Sequence, residues 1–278
     1  MLQNRNMRRR SDLPVSVLTI AGSDSGGGAG IEADLRTFAA HGVHGLCVIT
    51  AVTAQNTRSV TAIEPLAPRM VQAQLDAVFA DFRIGAVKLG MLATPGIVRT
   101  IAKTLLAHPR VPVVVDPVLV ATTGARLGRE SLIAPLRRAL LPRADLLTPN
   151  VPEAEALLGR RLRGERDLLQ AARDLIDLGA HAVLLKGGHI AGSEIADLLL
   201  TRKSAHWFRH ARIDAEGHGT GCTLASAVAA NLALGLALPQ AVGNAIDYVH
   251  RALAAGYSPG RGRLRVLDHS VPTRSRQR

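Results

Sequence analysis

The sequence is poor in the residues on which several classes of protein depend. Only 3 % of its 278 residues are aromatic, so the stacking surfaces of proteins that bind single-stranded nucleic acid have little to be built from. Its two cysteines, Cys47 and Cys222, fit neither a zinc site nor a disulfide framework. No window approaches the roughly 20 apolar residues that a membrane span requires. We therefore expect a cytoplasmic globular protein with no nucleic-acid partner and no membrane partner.

The net charge of +12 is concentrated at the two ends of the chain. Residues 1–12 contribute +3 and the residues after 260 contribute +5, without helix-turn-helix or zinc-finger spacing. Charge-rich segments with little apolar content remain solvated. The interior has no linker and no repeat of fixed period. We predict a disordered basic tail at 1–12, a single domain at 13–260 and a second basic tail at 261–278.

Short β-branched runs alternate with longer helical patterns along the interior of the chain. The predicted strands are 15–20, 45–52, 84–90, 111–117, 145–150 and 181–188, and the predicted helices are 29–41, 70–82, 94–106, 130–141 and 165–179. Nearly continuous apolar strands separated by helices indicate an α/β protein whose parallel sheet is covered on both faces. Between ADLLL and HWFRHARI the pattern favours an antiparallel hairpin at one edge.

Polar residues stand where these predicted strands end. Ligands of parallel sheets collect outside the carboxyl ends of the strands. We therefore expect six side chains to converge on one rim: Asp24, Gln55, Lys88, Asp116, Asn150 and Lys186.

Two glycine-rich turns precede predicted helices. The first, GSDSGGGAG, could cradle an anion or form a plain tight turn, and it matches neither a dinucleotide fingerprint nor a Walker A loop. The second, GHGTGC, leaves the amides of residues 219–222 without partners inside the following helix. Those amides and the helix dipole would stabilise charge on a transferring phosphoryl group and lower the pKa of Cys222. Cys222 is thus a candidate thiolate base, with plain packing under the helix as the alternative.

Seven motifs, in order, resemble the hydroxymethylpyrimidine/phosphomethylpyrimidine kinases of thiamine biosynthesis. They span about residues 15–257 and read AGSDSGGGAGIEADLRTF, VITAVTAQNT, KLGML, VVVDPVLVATTG, TPNVPEAEALLG, LLKGGH and HGTGCTLASA. The resemblance implies a ribokinase-like fold of three layers, α-β-α, with a central, mainly parallel sheet. It also implies ATP-dependent phosphorylation of 4-amino-5-hydroxymethyl-2-methylpyrimidine and then of its monophosphate.

The resemblance assigns a pyrimidine pocket to five positions. Gln55 matches the glutamine that binds the aminopyrimidine, and its amide offers the donor and the acceptor that such a ring requires. The other positions that match the pocket lining are Ala29, Asp34, Met91 and Val118. From the residues alone, Met91 is as well explained as core and Asp34 as an acid in the first turn of a helix.

The resemblance assigns a second group of residues to ATP and magnesium. Asp116 and Glu153 match residues that organise Mg²⁺, through water and phosphate, with Asn150 beginning the same N-x-x-E element. Lys186 matches the lysine that meets the ATP phosphates. A capping asparagine and an edge lysine are the plain structural alternatives.

The remaining matched positions form the anion hole and the base. Gly219, Thr220 and Gly221 match the anion hole, and Cys222 takes the place of the aspartate of related sugar kinases as the base for the first transfer. The second transfer needs no such base, because its acceptor phosphate is already an anion.

Three departures from the family pattern bear on specificity and ATP affinity. Glu32 stands where the family has glutamine, Ala215-Glu216-Gly217 replaces T-N-T, and SPGRGRLRVLDHS replaces a closing G-x-G-P-x-x-H motif. Two other functions stay open: a pyridoxal or pyridoxine kinase on the same scaffold, and a non-catalytic pyrimidine-binding sensor. The sequence also leaves the assembly open, with a homodimer among the options.

Overall fold

The computed structural model describes residues 14–119, 130–189, 192–215 and 217–273. The expected tail at 1–12 lies outside these residues. The strands described are β1 Ser16–Asp24, β2 His44–Gln55, β3 Val60–Pro65, β4 Ile84–Leu89, β5 Val113–Val115, β6 Leu146–Leu147, β7 Ala182–Leu185, β8 Glu194–Thr201, β9 Ala205–Ala211, β10 Gly217–His218 and β11 Arg265–Val266. The helices are α1 Gly30–Ala40, α2 Pro68–Asp81, α3 Pro95–Ala107, α4 Val151–Leu158, α5 Glu165–Asp177, α6 Thr220–Ala233 and α7 Leu238–Ala254.

A nine-stranded sheet forms the centre of the molecule. Its order is β3-β2-β1-β4-β5-β6-β7-β8-β9. The pairs from β2 through β1, β4, β5 and β6 to β7 are parallel, whereas β3 and the β8–β9 hairpin add antiparallel edges. The predicted mainly parallel sheet and the edge hairpin are both confirmed.

The strand period divides the core into two layers, one on each face of the sheet. In β1, Leu18 and Ile20 face one layer, which also buries residues of α2 to α5. Val17 faces the other layer, where it meets α1, α6 and α7 through residues such as Phe38 and Tyr248. Alternate side chains of a strand point to opposite faces, so a sheet covered on both sides yields this three-layer arrangement. No helix among the described residues is long and apolar enough to cross a membrane.

Strand β3 and the segment 130–141 differ from the predicted elements, and helices α4 and α7 and strands β10 and β11 were not predicted. Strand β3 was not expected, because an edge strand with mostly exposed residues leaves no continuous apolar run. The predicted helix at 130–141 is a distorted segment in which 3₁₀ turns flank an α turn, Ile133–Pro135, and a π turn, Leu136–Leu140. Pro135 has no N–H to donate, so a regular helix cannot run through it.

The predicted boundary at residue 260 is too early, because the chain is packed up to residue 273. β11 pairs in parallel with β10, joining Val266 to His218 and Arg265 to Gly217. Leu264, Val266 and Leu267 are buried between exposed or half-exposed arginines. The arginines that alternate with these apolar residues make the segment look like a solvated basic tail in the sequence.

Packing of this segment predicts a stability cost that a solvated tail would not show. Leu267→Ala removes a side chain that is 2 % exposed, and we expect the free energy of unfolding to fall by about 2 to 5 kcal/mol. Urea unfolding measures the change, and Arg263→Ala, at an exposed position, is the matched control. Equal stability of the two variants would contradict the packed arrangement.

Candidate active site

The carboxyl ends of the parallel strands bring the expected polar residues to one rim. Asp24 and Gln55 end β1 and β2, Asp116 follows β5, and Asn150 and Lys186 meet in an isolated bridge after β6 and β7. Lys88 is the exception. It lies one residue before the end of β4 and is completely buried.

The first glycine turn is organised by its own aspartate. The Asp24 carboxylate accepts hydrogen bonds from the amides of Gly26 (2.8 Å), Gly28 (3.0 Å) and Ala29 (2.9 Å). Burial would raise the pKa of Asp24, but hydrogen bonds from His218, Gly26 and Ala29 hold it below its usual range. Three amides of the turn are therefore already used, which favours the tight-turn interpretation over an anion cradle.

Glu32, the departure from the family pattern, braces the same turn. Its carboxylate accepts from the Ser23 hydroxyl at 2.6 Å and from the Asp24 amide at 2.8 Å. Both carboxylate oxygens of Glu32 thus accept hydrogen bonds from residues at the end of β1. Glu216, the central residue of the second departure, lies outside the described residues.

Gln55 lies beside a histidine that the sequence analysis did not single out. The Gln55 side-chain amide is 3.1 Å from His218 Nε2, which is itself 3.0 Å from Asp24 Oδ2. His218 is 4 % exposed and belongs to β10, immediately before Gly219. Its position between the two glycines of GHG was the available signal, because a histidine there must lie close to both turns.

Asp34 does not line a pocket, contrary to expectation. It is fully buried and accepts from Lys88 Nζ at 2.8 Å and 2.9 Å, from the Thr19 hydroxyl at 2.6 Å and from the Ser226 hydroxyl at 2.7 Å. Thr19 and Lys88 are paired neighbours on β1 and β4, so both point to the face where α1 and α6 pack. Four donor bonds saturate the carboxylate and leave it no lone pair directed to a ligand.

Pairing with Asp34 keeps Lys88 positively charged although the lysine is fully buried. Desolvation lowers the pKa of Lys88, but the charges of Asp34, Cys222 and Asp116 raise it above its ordinary value. A buried ion pair is expensive to break, because removing one partner leaves the other charge uncompensated. The pair is therefore a fixed positive and negative charge beneath the rim.

The apolar members of the predicted pocket lie at the edge of the core. Met91 is 7 % exposed, and a Cβ at Gly22 would lie 2.3 Å from its Cε, so the methionine covers that glycine. Val118 is partly buried against the same core layer. Ala29 lies against the second glycine turn, with its Cα 3.2 Å from a Cβ built on Gly219.

The first turn of α6 lies between the first glycine turn on one side and the Lys186 and Asp116 side chains on the other. Gly219 has φ of 84°, and a Cβ there would lie 1.9 Å from the Gly28 carbonyl oxygen, so only glycine fits. A Cβ on Gly221 would lie 3.2 Å from Lys186 Nζ and 3.6 Å from Asp116 Oδ2. Thr220 begins the helix between them. Amides in the first turn of a helix have no intrahelical acceptor and favour anions.

Cys222 follows this turn, and its environment corrects the expected lowering of its pKa. Burial raises the pKa of the Cys222 thiol to about 11, although the positive charge of Lys88 opposes that rise. The negative charges of Asp34 and Asp116 raise it further, and a backbone hydrogen bond from Gly30 lowers it. Desolvation is the largest influence on the pKa of Cys222, so the side chain is a protonated thiol at neutral pH.

A second charged cluster surrounds Lys186. Its Nζ donates to Asp116 Oδ1 at 3.0 Å and lies 4.0 Å from Glu153 Oε2. Asn150 and Glu153 form a capping box on α4: the Asn150 side chain accepts from the Glu153 amide at 2.9 Å, and Glu153 accepts from the Asn150 amide at 2.8 Å. The capping role weighed for Asn150 is thus present.

The two carboxylates beside Lys186 carry more negative charge than one ammonium group balances. Burial raises the pKa of Glu153 to about 7; Lys186 lowers it, but the charge of Asp116 raises it further. Burial would lower the pKa of Lys186, but Asp116 and Glu153 raise it. Across the described residues, no three His, Cys, Asp or Glu side chains form a complete metal site. A cation here would need further oxygen ligands from water or phosphate.

The chain is similar to known kinases over most of its length. The family model for phosphomethylpyrimidine kinase matches residues 24–267. The hydroxymethylpyrimidine/phosphomethylpyrimidine kinase of Rhizobium meliloti is 48 % identical over 240 residues, which are 86 % of this chain and 90 % of that one. The chain is also similar to two solved structures. The phosphomethylpyrimidine kinase of Clostridium difficile has TM-score 0.77 and 39 % identity, covering 86 % and 99 % of the two chains. The ADP complex of Bacillus subtilis pyridoxal kinase has TM-score 0.86 and 32 % identity, covering 92 % and 98 %.

The raised pKa of Glu153 predicts a pH-dependent effect of Glu153→Gln on stability. The carboxyl group ionises near its usual value of 4.5 in the unfolded chain but near about 7 in the folded one. Between these values the folded chain holds the extra proton, so the wild type loses stability as the pH rises and then levels off. The variant lacks this titration, so its advantage in melting temperature should grow from pH 4.5 to 7 and stay constant above.

Thermal unfolding between pH 4.5 and 8 measures this difference. Glu64→Gln, which removes one negative charge from the exposed strand β3, controls for the change in net charge. A Glu153→Gln advantage that is the same at all pH values would contradict the raised pKa.

The raised pKa of Cys222 predicts slow alkylation at neutral pH. The thiolate is the reactive form, so the rate of reaction with iodoacetamide should rise about tenfold per pH unit and still be rising at pH 9.5. Cys47→Ser protein leaves Cys222 as the single cysteine, and mass spectrometry of the labelled peptide measures the rate. A plateau below pH 8.5 would restore the original expectation of a lowered pKa.

Proposed function

The chain belongs to the phosphomethylpyrimidine kinase family, and on that premise we propose how its residues carry out the family's two phosphorylations. The protein is a hydroxymethylpyrimidine kinase and phosphomethylpyrimidine kinase of thiamine biosynthesis, and ATP is the phosphoryl donor. It converts 4-amino-5-hydroxymethyl-2-methylpyrimidine to the monophosphate and then to the diphosphate. The observation that carries the proposed mechanism is the position of the first turn of α6, between the Gln55 side of the rim and the Lys186 cluster.

Gln55 reads the pyrimidine ring in this proposal. Its amide presents an oxygen acceptor and an N–H donor, which pair with the exocyclic amine and the neighbouring ring nitrogen. Ala29, Met91 and Val118 supply apolar contacts next to it, whereas Asp34 acts through its contacts with Thr19, Lys88 and Ser226. The hydroxymethyl group then points past His218 toward Cys222, because His218 and Gly219 are consecutive residues.

The amides of Gly219, Thr220 and Gly221 hold the transferring phosphoryl group. Its equatorial oxygens gain negative charge in the transition state, and amides fixed before the reaction stabilise that charge without reorganising. Lys186, next to Gly221, adds a full positive charge. The Lys186 ammonium group donates to Asp116, so it must give up part of this contact in order to bind phosphate. Glu153, 4.0 Å away, holds the ammonium group near the site.

Asp116 and Glu153 are the residues that would hold a magnesium ion. Their buried carboxylates share the single ammonium group of Lys186, and magnesium prefers oxygen ligands while keeping several waters. When bound, the ion supplies charge neutralisation for the phosphates of ATP.

Cys222 accepts the proton of the hydroxymethyl group in the first transfer. Lys88 favours the thiolate, whereas Asp116 disfavours it. A bound cation would remove the effect of the Asp116 charge, one of the causes that raise the pKa of the thiol, while Lys88 continues to favour the thiolate. The second acceptor is a phosphate, which is already an anion and needs no base.

Two further parts of the proposal concern the setting of the reaction. Both cysteines are free thiols, which supports a reducing, cytoplasmic location. A homodimer is the assembly we propose for the active enzyme, and sedimentation of the purified protein tests it.

Pyridoxal kinase is the second candidate function. It is favoured by the structural likeness, since the Bacillus subtilis pyridoxal kinase superposes with TM-score 0.86 and the Clostridium difficile phosphomethylpyrimidine kinase with 0.77. Sequence identity favours the first candidate. ATP turnover with hydroxymethylpyrimidine and with pyridoxine, measured side by side, separates the two.

Cys222→Ser tests the base directly, in an assay that separates the monophosphate from the diphosphate. A serine hydroxyl does not ionise near neutral pH, so kcat for the first transfer should fall by about 10² to 10⁴-fold, the usual contribution of a positioned base. The second transfer, started from the monophosphate, should be affected far less.

Cys47→Ser, which removes the other thiol at a partly buried site on β2, is the matched control and should keep both activities. First-step turnover close to the wild type in Cys222→Ser would leave the cysteine with a packing role only. Absence of any phosphorylated pyrimidine from the wild-type enzyme would overturn the function itself.

A further inference from the structure

Gln55 contacts two polar groups whose protons are already committed. The amide atom assigned as Nε2 lies 3.1 Å from His218 Nε2, and the atom assigned as Oε1 lies 3.4 Å from the Thr53 hydroxyl. The oxygen and nitrogen of an amide are nearly identical in shape, so their assignment follows from the hydrogen bonds they make. The donors and acceptors on both sides therefore decide how the amide is oriented.

His218 presents a donor to Gln55. Asp24 accepts three backbone N–H groups and is an acceptor-only carboxylate, so the His218 Nε2 atom 3.0 Å from Asp24 Oδ2 must carry the proton. Among the described residues His218 Nδ1 is buried without a partner, and a proton there would be a donor without an acceptor. The Nε2 atom therefore carries an N–H that is directed at both Asp24 and Gln55.

Thr53 presents an acceptor to Gln55. Its hydroxyl donates its single hydrogen to the Ser23 carbonyl oxygen at 2.9 Å. It can therefore only accept from the amide. Both contacts therefore require the O and N assignment to be exchanged, so that the amide oxygen faces His218 and the NH₂ group faces Thr53.

We propose that Asp24 and His218 lock the Gln55 amide in this single orientation, and that His218 is thereby a specificity-determining residue of the enzyme. One N–H of His218 is shared between the two oxygens, a three-centre arrangement that folded proteins use commonly. The lock rests on the proposed function, because it selects among pyrimidine substrates.

The locked order of atoms matches the order around the aminopyrimidine. Along that ring edge the hydroxymethyl carbon, the 4-amino group and the ring nitrogen N3 follow one another. The amide oxygen on the His218 side pairs with the 4-amino group, and the NH₂ on the Thr53 side pairs with N3. The hydroxymethyl group then lies beyond His218, in the direction of Gly219 and the anion hole.

A freely turning glutamine would not discriminate in this way. A 4-oxo pyrimidine has a carbonyl acceptor and an N3–H donor at the same positions, and a glutamine amide accommodates it by turning over. The locked amide would instead set oxygen against oxygen and N–H against N–H. The enzyme should therefore reject 5-hydroxymethyl-2-methylpyrimidin-4-one.

Two polar variants of similar size test the lock. Glutamine at position 218 places an amide N–H near the position of Nε2, where it can donate to Asp24 and Gln55. Asparagine is shorter and places its amide near Nδ1, out of reach of both. Comparing His218→Asn with His218→Gln therefore separates loss of the donor from loss of the ring.

The readout is the ratio of kcat/KM for the 4-amino substrate to kcat/KM for the 4-oxo analogue. We expect the wild type to prefer the 4-amino substrate by roughly 100-fold, because unpaired buried polar groups are costly. In His218→Asn this ratio should fall by about tenfold or more. In His218→Gln most of the ratio should be recovered. KM for ATP should stay close to the wild type in both variants, and thermal unfolding checks that both are folded.

If His218→Asn lowered kcat/KM for both substrates by the same factor, so that the ratio was unchanged, the lock would be overturned and His218 would be a merely structural residue. A wild-type ratio near one would overturn it as well. Failure of the wild type to phosphorylate the 4-amino substrate at all would instead overturn the proposed function.

Discussion

The arrangement of the rim depends on one buried carboxylate. Asp34 of α1 holds together Thr19 of β1, Lys88 of β4 and Ser226 of α6, so four elements meet at a single side chain. Burying a charge pair is costly unless every hydrogen-bonding position is filled, and here the carboxylate receives four donor bonds. These bonds fix the positions of β1, β4 and α6 relative to α1. Ser226 is one helical turn after Cys222, so the same contacts that neutralise Lys88 also fix where the first turn of α6 lies.

Charge is distributed along the rim in alternating signs. Lys88 lies below Cys222, Asp116 beside it and Lys186 beyond, with Glu153 closing the row. Asp116 and Glu153 both raise the pKa of Lys186, and Asp116 also raises the pKa of Glu153, so members of the row influence one another. A new charge that enters the site, from phosphate or a cation, therefore also changes the electrostatic balance at Cys222.

Most of the fold could be predicted from the sequence, because the apolar periodicity and the residues at the strand ends are local signals. Gln55, Asp116, Asn150 and Lys186 were predicted at the rim on that basis. The role of Asp34 could not be predicted, since its partners come from three other elements and 15 to 192 residues away along the chain. The pKa of Cys222 was predicted in the wrong direction for a related reason: the helix terminus is visible in the sequence, whereas the desolvation that outweighs it is not.

Among the described strands, β11 is the last in the chain, yet it pairs directly with β10, which carries His218 and leads into Gly219. The loop of the anion hole therefore depends on a segment that is distant from it in the sequence. A chain cut before Val266 contains every strand of the nine-stranded sheet and all the partners of Asp34, but its anion-hole loop lacks the strand that pairs with β10. Cleavage before β11 would therefore leave most of the core in place and remove a support of the catalytic turn.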